Sequence, residues 1–421
     1  PADAYSLLRE AIAEDDPVVF MEPKVSYWAK EEVELPVQRE PFGTAAVRRQ
    51  GSDVTLVTYG PQLKTCLQAA EAAAELGYDV EVVDLRVISP VDIDTGDLVR
   101  RLRAESASRI EDLGWDTAAR RWDVGVRAAS GALSAADAVP AALPRAATAA
   151  ARAVLGSDRV PLYSQHLPAG GGPRPEPQSP PEAQAVLFAA CVSSMFGGSE
   201  AGEPSAAQAL LRLCERAGVP IAVPEGLAST CCGTPWKSKG MTSGFERMTR
   251  TTLPMLWEAT DHGRLPVVCD ASSCTEGLEA MQAAAGPDSP WAGLRFVDSV
   301  EFVAREVLPG LQVHERLGSM ALHPTCSSTQ LGLNESLRKI AEAMAEEVVV
   351  PLEWRCCAYA GDRGMLHPEL TASATRREAA EVGEHGFDAY ASLNRTCELG
   401  MTEATGKPYR HVLQHLEAAT R

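Results

Sequence analysis

Cysteine placement constrains this chain more than any other feature. Of eleven cysteines in 421 residues, Cys66 stands alone and the other ten fall between positions 191 and 397. Eight of them form two ladders, Cys191-x39-Cys231-Cys232-x41-Cys274 and Cys326-x29-Cys356-Cys357-x39-Cys397. Each ladder offers four thiols from three loops. Structural zinc sites use tight knuckles, and adjacent Cys-Cys chelates zinc poorly. A twinned pair with two distant partners suits a cluster that spreads its irons apart. Soft thiolates accept either metal, so the spacing decides.

Buried structural cysteine is the competing reading for any one thiol. It is the expectation for Cys66, and for Cys214, which shares an apolar helix face with Leu210, Leu211 and Leu213. Cys269, five residues before Cys274, reads either as a fifth ligand or as a core residue on a strand. The stretches Gly233–Gly240 and Gly361–Gly364 follow the twin cysteines and are glycine-rich and cationic. Glycines let backbone N–H groups approach sulfide. Lys237, Lys239 and Arg363 are candidates to offset cluster charge and raise its potential; a solvated turn is the alternative. His323 and His367 flank Cys326 and the second turn, as ligands, as outer donors or as structural residues.

Hydrophobic content of 45% and charged content of 23% describe an ordinary globular chain, long enough for several domains. The net charge of −18 argues against non-specific binding to nucleic acid. No apolar run approaches the roughly 18 residues that span a bilayer. No signal peptide opens the chain, so a cytoplasmic location is expected, at most peripheral to the inner face of a membrane. In that reducing setting such cysteines serve as metal ligands or catalytic thiols. The chain opens on Pro1, as expected of the tail of a longer polypeptide.

Residues 1–98 read as α/β. Val54–Gly60 is a strand, Pro61–Leu76 a helix stopped by Gly77, and Val80–Leu85 the next strand, giving one βαβ unit with parallel pairing. Pro17–Pro23 reads as a strand of another unit. Residues 99–183 read as solvated helices (Asp97–Ser106 and Ala135–Leu155) and then a Pro/Gly-rich linker, Leu167–Ala183. After that the chain repeats itself, as one cysteine-rich unit over 184–318 and a second over 319–421. Strand Ala185–Ala190 ends on Cys191, helix Ala206–Ala217 and strand Pro220–Pro224 precede the twin cysteines, and strand Leu265–Val268 precedes Cys274. Ser319–His323, Asn334–Glu347, Val348–Leu352 and Tyr390–Ser392 follow the same order around the second ladder. Both passes put thiols beyond strand C-termini, the edge where open α/β sheets bind ligands.

The phrases SSMFG, CCGTPWKSKG, DASSCTEGL, HPTCSSTQLG, AGDRGMLHPELTASAT and NRTCELGM carry a resemblance over about 110–421. The chain there resembles the cysteine-rich "CCG" domain pair of the heterodisulfide reductase B-like family and, more closely, of FAD-linked D-lactate dehydrogenases. That resemblance implies one iron–sulfur cluster per repeat, held by Cys191, Cys231, Cys232 and Cys274 and by Cys326, Cys356, Cys357 and Cys397. It departs from the heterodisulfide reductase pattern in closing each set with a single cysteine, and Ala358 stands where Gly233 follows the first pair. PADAYSLLREAI, DPVVFMEPK and SDVTLVTYG…DVEVVDLRVISPVD resemble the β chain of thiamine-diphosphate 2-oxo acid dehydrogenases (E1β), at the end of its pyrimidine domain and the start of its transketolase C-terminal domain.

The expected fold class is therefore α/β: a partial transketolase C-terminal-like βαβ unit, then two repeated parallel-sheet cysteine-rich domains. No flavin fingerprint or G-x-G-x-x-G is present, so FAD is expected only on a partner or a missing domain, and residues 1–98 carry no independent thiamine diphosphate site. The expected function is electron transfer for a flavin-linked 2-hydroxy acid dehydrogenase, from a flavoprotein partner to a quinone or other carrier. An E1β fragment that contacts E1α or E2, and a zinc-bound or metal-free scaffold, are the alternatives.

Overall fold

In the computed structural model, which describes residues 2–14, 18–28, 30, 32, 43–88, 100, 103–105, 107–198 and 202–421, the apolar runs become strands of three sheets. The chain divides into two units, 1–102 and 103–421.

The smaller unit holds β1 (Ala46–Arg49), β2 (Val54–Thr58) and β3 (Val80–Asp84) in the order β1-β3-β2. β2 and β3 are parallel, with Val54 opposite Val80, and β1 runs antiparallel. Helix Gln62–Glu75 joins β2 to β3, as the βαβ reading expects. It ends where Gly77 takes a φ of +88°, a conformation that stops a helix at little cost. Ala70, Val80 and Val82 are buried, with Leu56, Leu63, Cys66 and Leu67 packed against them. Val47, Val54, Val57 and Tyr59 stay about half exposed. The expected strand over Pro17–Pro23 is not formed at residues 18–23, which run irregularly into a 3-10 turn at Lys24–Ser26. Pro23 lacks the N–H a ladder needs. Pro17, and most of the helix expected over Asp97–Ser106, lie outside the described residues.

The larger unit contains the same sheet twice. β4 (Ala185–Phe188), β5 (Ile221–Ala222), β6 (Val267–Cys269) and β7 (Phe296–Asp298) run in the order β5-β4-β6-β7. β8 (Leu317–Leu322), β9 (Ala345–Val349), β10 (Ala389–Ser392) and β11 (Tyr409–His411) run in the order β9-β8-β10-β11. Every pairing in both sheets is parallel. Helices cover the faces of such sheets, so the central strands β4, β6 and β10 are buried along their whole length. One apolar core runs through both repeats, from Leu187 and Leu210 to Leu337 and Leu413.

Two expected helices have different limits. Asn334–Met344 stops before Glu347, because Ala345–Val349 pairs with β8 instead. Pro140 separates Trp122–Asp137 from Ala142–Leu155, where one helix was expected from Ala135. Trp122 and Val126 are buried, while Ala142–Leu155 has no buried residue. The Pro/Gly tract lies along the first repeat, bridging Gly170 to Phe196 and Gln178 to Val223.

Candidate metal centres

The sheet edges gather the eight cysteines into two sets of four. In the first repeat the chain leaves β4 and places Cys191 at the start of the short helix Val192–Met195. Cys274 lies in the first turn of helix Ser272–Ala285, just beyond β6. In the second repeat Cys326 begins helix Cys326–Gln330 and Cys397 lies in the first turn of Arg395–Thr405. The twin cysteines arrive on loops between these helix starts.

In the first set the Cys191 and Cys231 sulfurs are 3.7 Å apart, and all four thiols are buried. The bond between Cys231 and Cys191 holds Cys191 toward thiolate against burial, with the Arg174 guanidinium adding to the effect. Cys231 and Cys274 likewise push Cys232 well below the usual thiol range. Cys231 and Cys274 rise well above that range, Cys231 first through burial and Cys274 first through its bond to Cys232. Thr234 Oγ1 lies 3.3 Å from the Cys232 sulfur and donates to the Ser273 carbonyl, and Thr252 donates to the Cys231 carbonyl. Trp236, beyond the twin cysteines, packs on Trp122 at 4.7 Å and donates to the Trp115 carbonyl, which seats the preceding helices on this loop.

The second set is more open. Cys326 and Cys356 are exposed with sulfurs 3.7 Å apart, while Cys357 and Cys397 are buried. Its contact with the Cys326 sulfur brings Cys356 down to about 6 against burial. The bond from Cys397, and then His323, push Cys357 well below the usual range. His323 is buried, with Nδ1 2.7 Å from Glu378 Oε1. Burial opposes its charge, but the Cys357 sulfur and the Glu378 carboxylate outweigh it and raise the ring to about 9. Ligand atoms of His323, Cys357 and Cys397 all lie within 4.8 Å of one another.

Other thiols lie apart from these sets. Burial in the helix core pushes Cys214 up to about 12. Cys269 ends β6 beside Asp298 and is raised chiefly by burial. Cys66 packs in the smaller unit. His367 pairs with Asp158 at 2.9 Å and Glu369 at 3.1 Å.

The three candidate cations near the twin cysteines engage carboxylates or solvent. Lys237 lies 3.9 Å from Glu276, Lys239 lies 2.8 Å from Asp362, and Arg363 is exposed. The charges acting on the thiols are instead Arg174 and His323. Arg174 sits in the Pro-rich tract, which carries no local signal of a site. His323 was visible as a neighbour of Cys326, but Glu378 had no signal at all.

A buried hydroxyl cluster joins the two sets. Ser272 bonds Ser327 at 2.7 Å and Thr325 at 3.2 Å, and Asn394 Nδ2 donates to Ser272 at 2.8 Å and to Ser327 at 3.0 Å. Asn394 Oδ1 accepts from the Ser273 hydroxyl at 3.3 Å. These residues stand next to, or within three positions of, Cys274, Cys326 and Cys397.

Four thiols per set, two of them held toward thiolate in each, fit a thiophilic metal centre. Among the described residues no helix is long and apolar enough to cross a membrane. The model of the cysteine-rich domain matches residues 185–279 and 320–402, one copy per sheet. The model of the transketolase C-terminal domain matches residues 43–104. The chain is 41% identical over 127 residues to the beta subunit of the pyruvate dehydrogenase E1 component of Leifsonia xyli subsp. xyli, covering 28% of this chain and 37% of that protein. It is 47% identical over 96 residues to the beta subunit of the 3-methyl-2-oxobutanoate dehydrogenase of Mycobacterium tuberculosis, covering 23% of this chain and 28% of that protein. The beta subunit of the acetoin:2,6-dichlorophenolindophenol oxidoreductase of Bacillus subtilis is 46% identical over 94 residues, 22% of this chain and 28% of that protein. The chain thus spans about a third or less of these relatives. It joins a segment matching the transketolase C-terminal domain, similar in sequence to E1β chains, to a pair of segments matching the cysteine-rich domain.

Proposed function

We propose that residues 184–421 are an iron–sulfur electron-transfer module, with one cluster per repeat. The reading rests on one observation: two identically ordered parallel sheets each bring four thiols together at one edge. Cys191, Cys231, Cys232 and Cys274 would hold the first cluster, and Cys326, Cys356, Cys357 and Cys397 the second. Bound there, iron–sulfur clusters supply one-electron transfer. The chain's own residues hold the thiols in place and favour their thiolate form. Arg174 and His323 offset negative charge beside the sulfurs, with Lys237, Lys239 and Arg363 farther out.

The module would take electrons from a flavoprotein that oxidises a 2-hydroxy acid of the D-lactate or glycolate type, and pass them to a quinone or another carrier. FAD would reside on that partner, thiamine diphosphate would have no site of its own, and the setting would be cytoplasmic, at most peripheral to the membrane. Residues 99–183 would link the E1β-like segment, 1–98, to the repeats, which divide at 318–319. Anaerobic reconstitution with iron and sulfide, followed by metal and acid-labile sulfide assays and EPR of the reduced protein, tests the reading. Two clusters per chain are expected. Stoichiometric zinc without labile sulfide would overturn it.

The identity to E1β chains supports a second reading, in which residues 1–98 retain contact with an E1α or E2 chain. A pull-down with those chains tests it, and absence of binding sinks it.

A further inference from the structure

We propose that His323 is a nitrogen ligand of the second metal centre, so that the two centres of this chain are chemically unequal. The inference rests on the metal-bound reading above. His323 Nδ1 meets Glu378 Oε1 at 2.7 Å, and both side chains are 1% exposed. A carboxylate only accepts, so Nδ1 carries the proton it receives. Nε2 is then left toward the sulfurs, where the Cys357 thiolate favours a proton on it but no hydrogen bond of regular geometry forms. A buried, unpartnered ring nitrogen is costly unless something occupies it. The three ligand atoms of His323, Cys357 and Cys397 lie within 4.8 Å of one another, close enough to share one centre. Carboxylate on one ring nitrogen and metal on the other is the usual arrangement of ligating histidine, since the carboxylate fixes tautomer and ring orientation. A metal displaces any proton held at Nε2.

The first repeat lacks this device. His323 stands three residues before Cys326, and the residue three before Cys191 is Phe188. Glu378 stands ten residues into helix Pro368–Glu384, and Thr252 holds that place in helix Thr242–Ala259. Phe188 is fully buried with the Arg174 guanidinium 5.9 Å from its ring, and Thr252 bonds the Cys231 carbonyl. The polar pair is therefore a property of the second repeat alone.

Imidazole is a neutral donor, so where it takes the place of one of the four thiolates of the second set it raises the potential of that iron–sulfur centre. The second centre accordingly has the higher potential of the two. Its Cys326 and Cys356 are also the exposed thiols, so electrons settle where a carrier reaches them.

The test uses the full chain, reconstituted anaerobically, with natural-abundance or 15N-labelled histidine. Pulsed EPR of the reduced protein reads nitrogen coupling, and iron and sulfide are assayed on the same samples. The expected result is a coupling from one histidine nitrogen that changes with the label. It should vanish in His323→Cys, which keeps both clusters and lowers the potential of one of them. His323→Ala should lose the same coupling and leave the first cluster's signal in place. Two loaded clusters without histidine coupling in the unaltered chain would overturn the inference and leave the electron-transfer reading standing. Coupling that persists in His323→Cys would overturn it as well. Absence of iron and sulfide from the unaltered chain would overturn both.

Discussion

Ala358 has a φ of +55°, in the left-handed region, directly after the second twin-cysteine pair. Gly233 holds the equivalent place in the first repeat at +80°. The turn is thus kept in both loops, and in the second it is kept at a cost. Its use is visible: the Ala358 N–H reaches the Cys356 sulfur at 3.4 Å. A left-handed alanine costs roughly 1–2 kcal/mol, and glycine's extra freedom in the unfolded chain takes back part of that. Ala358→Gly should therefore raise stability by about 0.5–1 kcal/mol in urea unfolding. Gly233→Ala should do the reverse by about 2 kcal/mol or more, because strain and overpacking add. A Cβ there would meet Met281 Cε at 2.6 Å and the Phe245 ring at 2.8 Å. The eight grouped thiols were legible in the sequence because their spacing repeats. Arg174 and Glu378 were not, since long-range folding alone brings them to the sulfurs.

At the scale of elements, strands were read more reliably than helices. β2, β3, β4, β8 and β10 follow from short apolar runs. The longest helix among the described residues, Thr242–Ala259, gave no clear signal, because Pro254 sits inside it. Proline removes one backbone bond and normally ends a helix; here burial of Met248, Leu253 and Leu256 holds the helix together. The C-terminal helix Val412–Ala419 was missed for the opposite reason, being too short and too apolar to show a period. It locks the repeats together through Glu417, which is buried and meets Arg216 at 2.6 Å and Arg421 at 2.7 Å. Burial opposes the Glu417 charge, but the two arginines win and hold its carboxyl below the usual range. Because the folded state lowers this pKa, its contribution is complete above the unfolded value near about 4.3 and is lost as pH falls below it. Glu417→Gln should cost about 2 kcal/mol at neutral pH, less than a fully buried pair because both arginines are partly exposed. The variant should also show a flatter loss of stability below about pH 4.3 in denaturant titrations.

The two units differ in how they can be stabilised. Among its described residues the smaller one has a core cluster of Ala70, Val80 and Val82 and leaves Val47, Val54, Val57 and Tyr59 about half exposed. The larger one carries both thiol sets, and a ligand that binds only the folded state stabilises it by mass action. Calorimetry should therefore show two transitions. The lower should be indifferent to iron and sulfide, and the upper should move up by several degrees on loading, as about 2–3 kcal/mol of binding would produce. A single transition, or a shift of both, would contradict this.

The buried cluster of Ser272, Thr325, Ser327 and Asn394 gives the pair of sites a common framework. Its members stand at the thiol-bearing helix starts of both repeats, so setting Cys274 in place also sets Cys326 and Cys397. If each thiol set holds a cluster as proposed, filling one would lower the ordering cost of filling the other, which is positive cooperativity. Native mass spectrometry during stepwise loading should find empty and doubly filled chains in excess over singly filled ones. In Asn394→Ala, which cuts the framework at its hub, the singly filled form should accumulate. Evolution of such a duplicated fold would then be constrained in pairs: a change that weakens one repeat's site is felt by its twin.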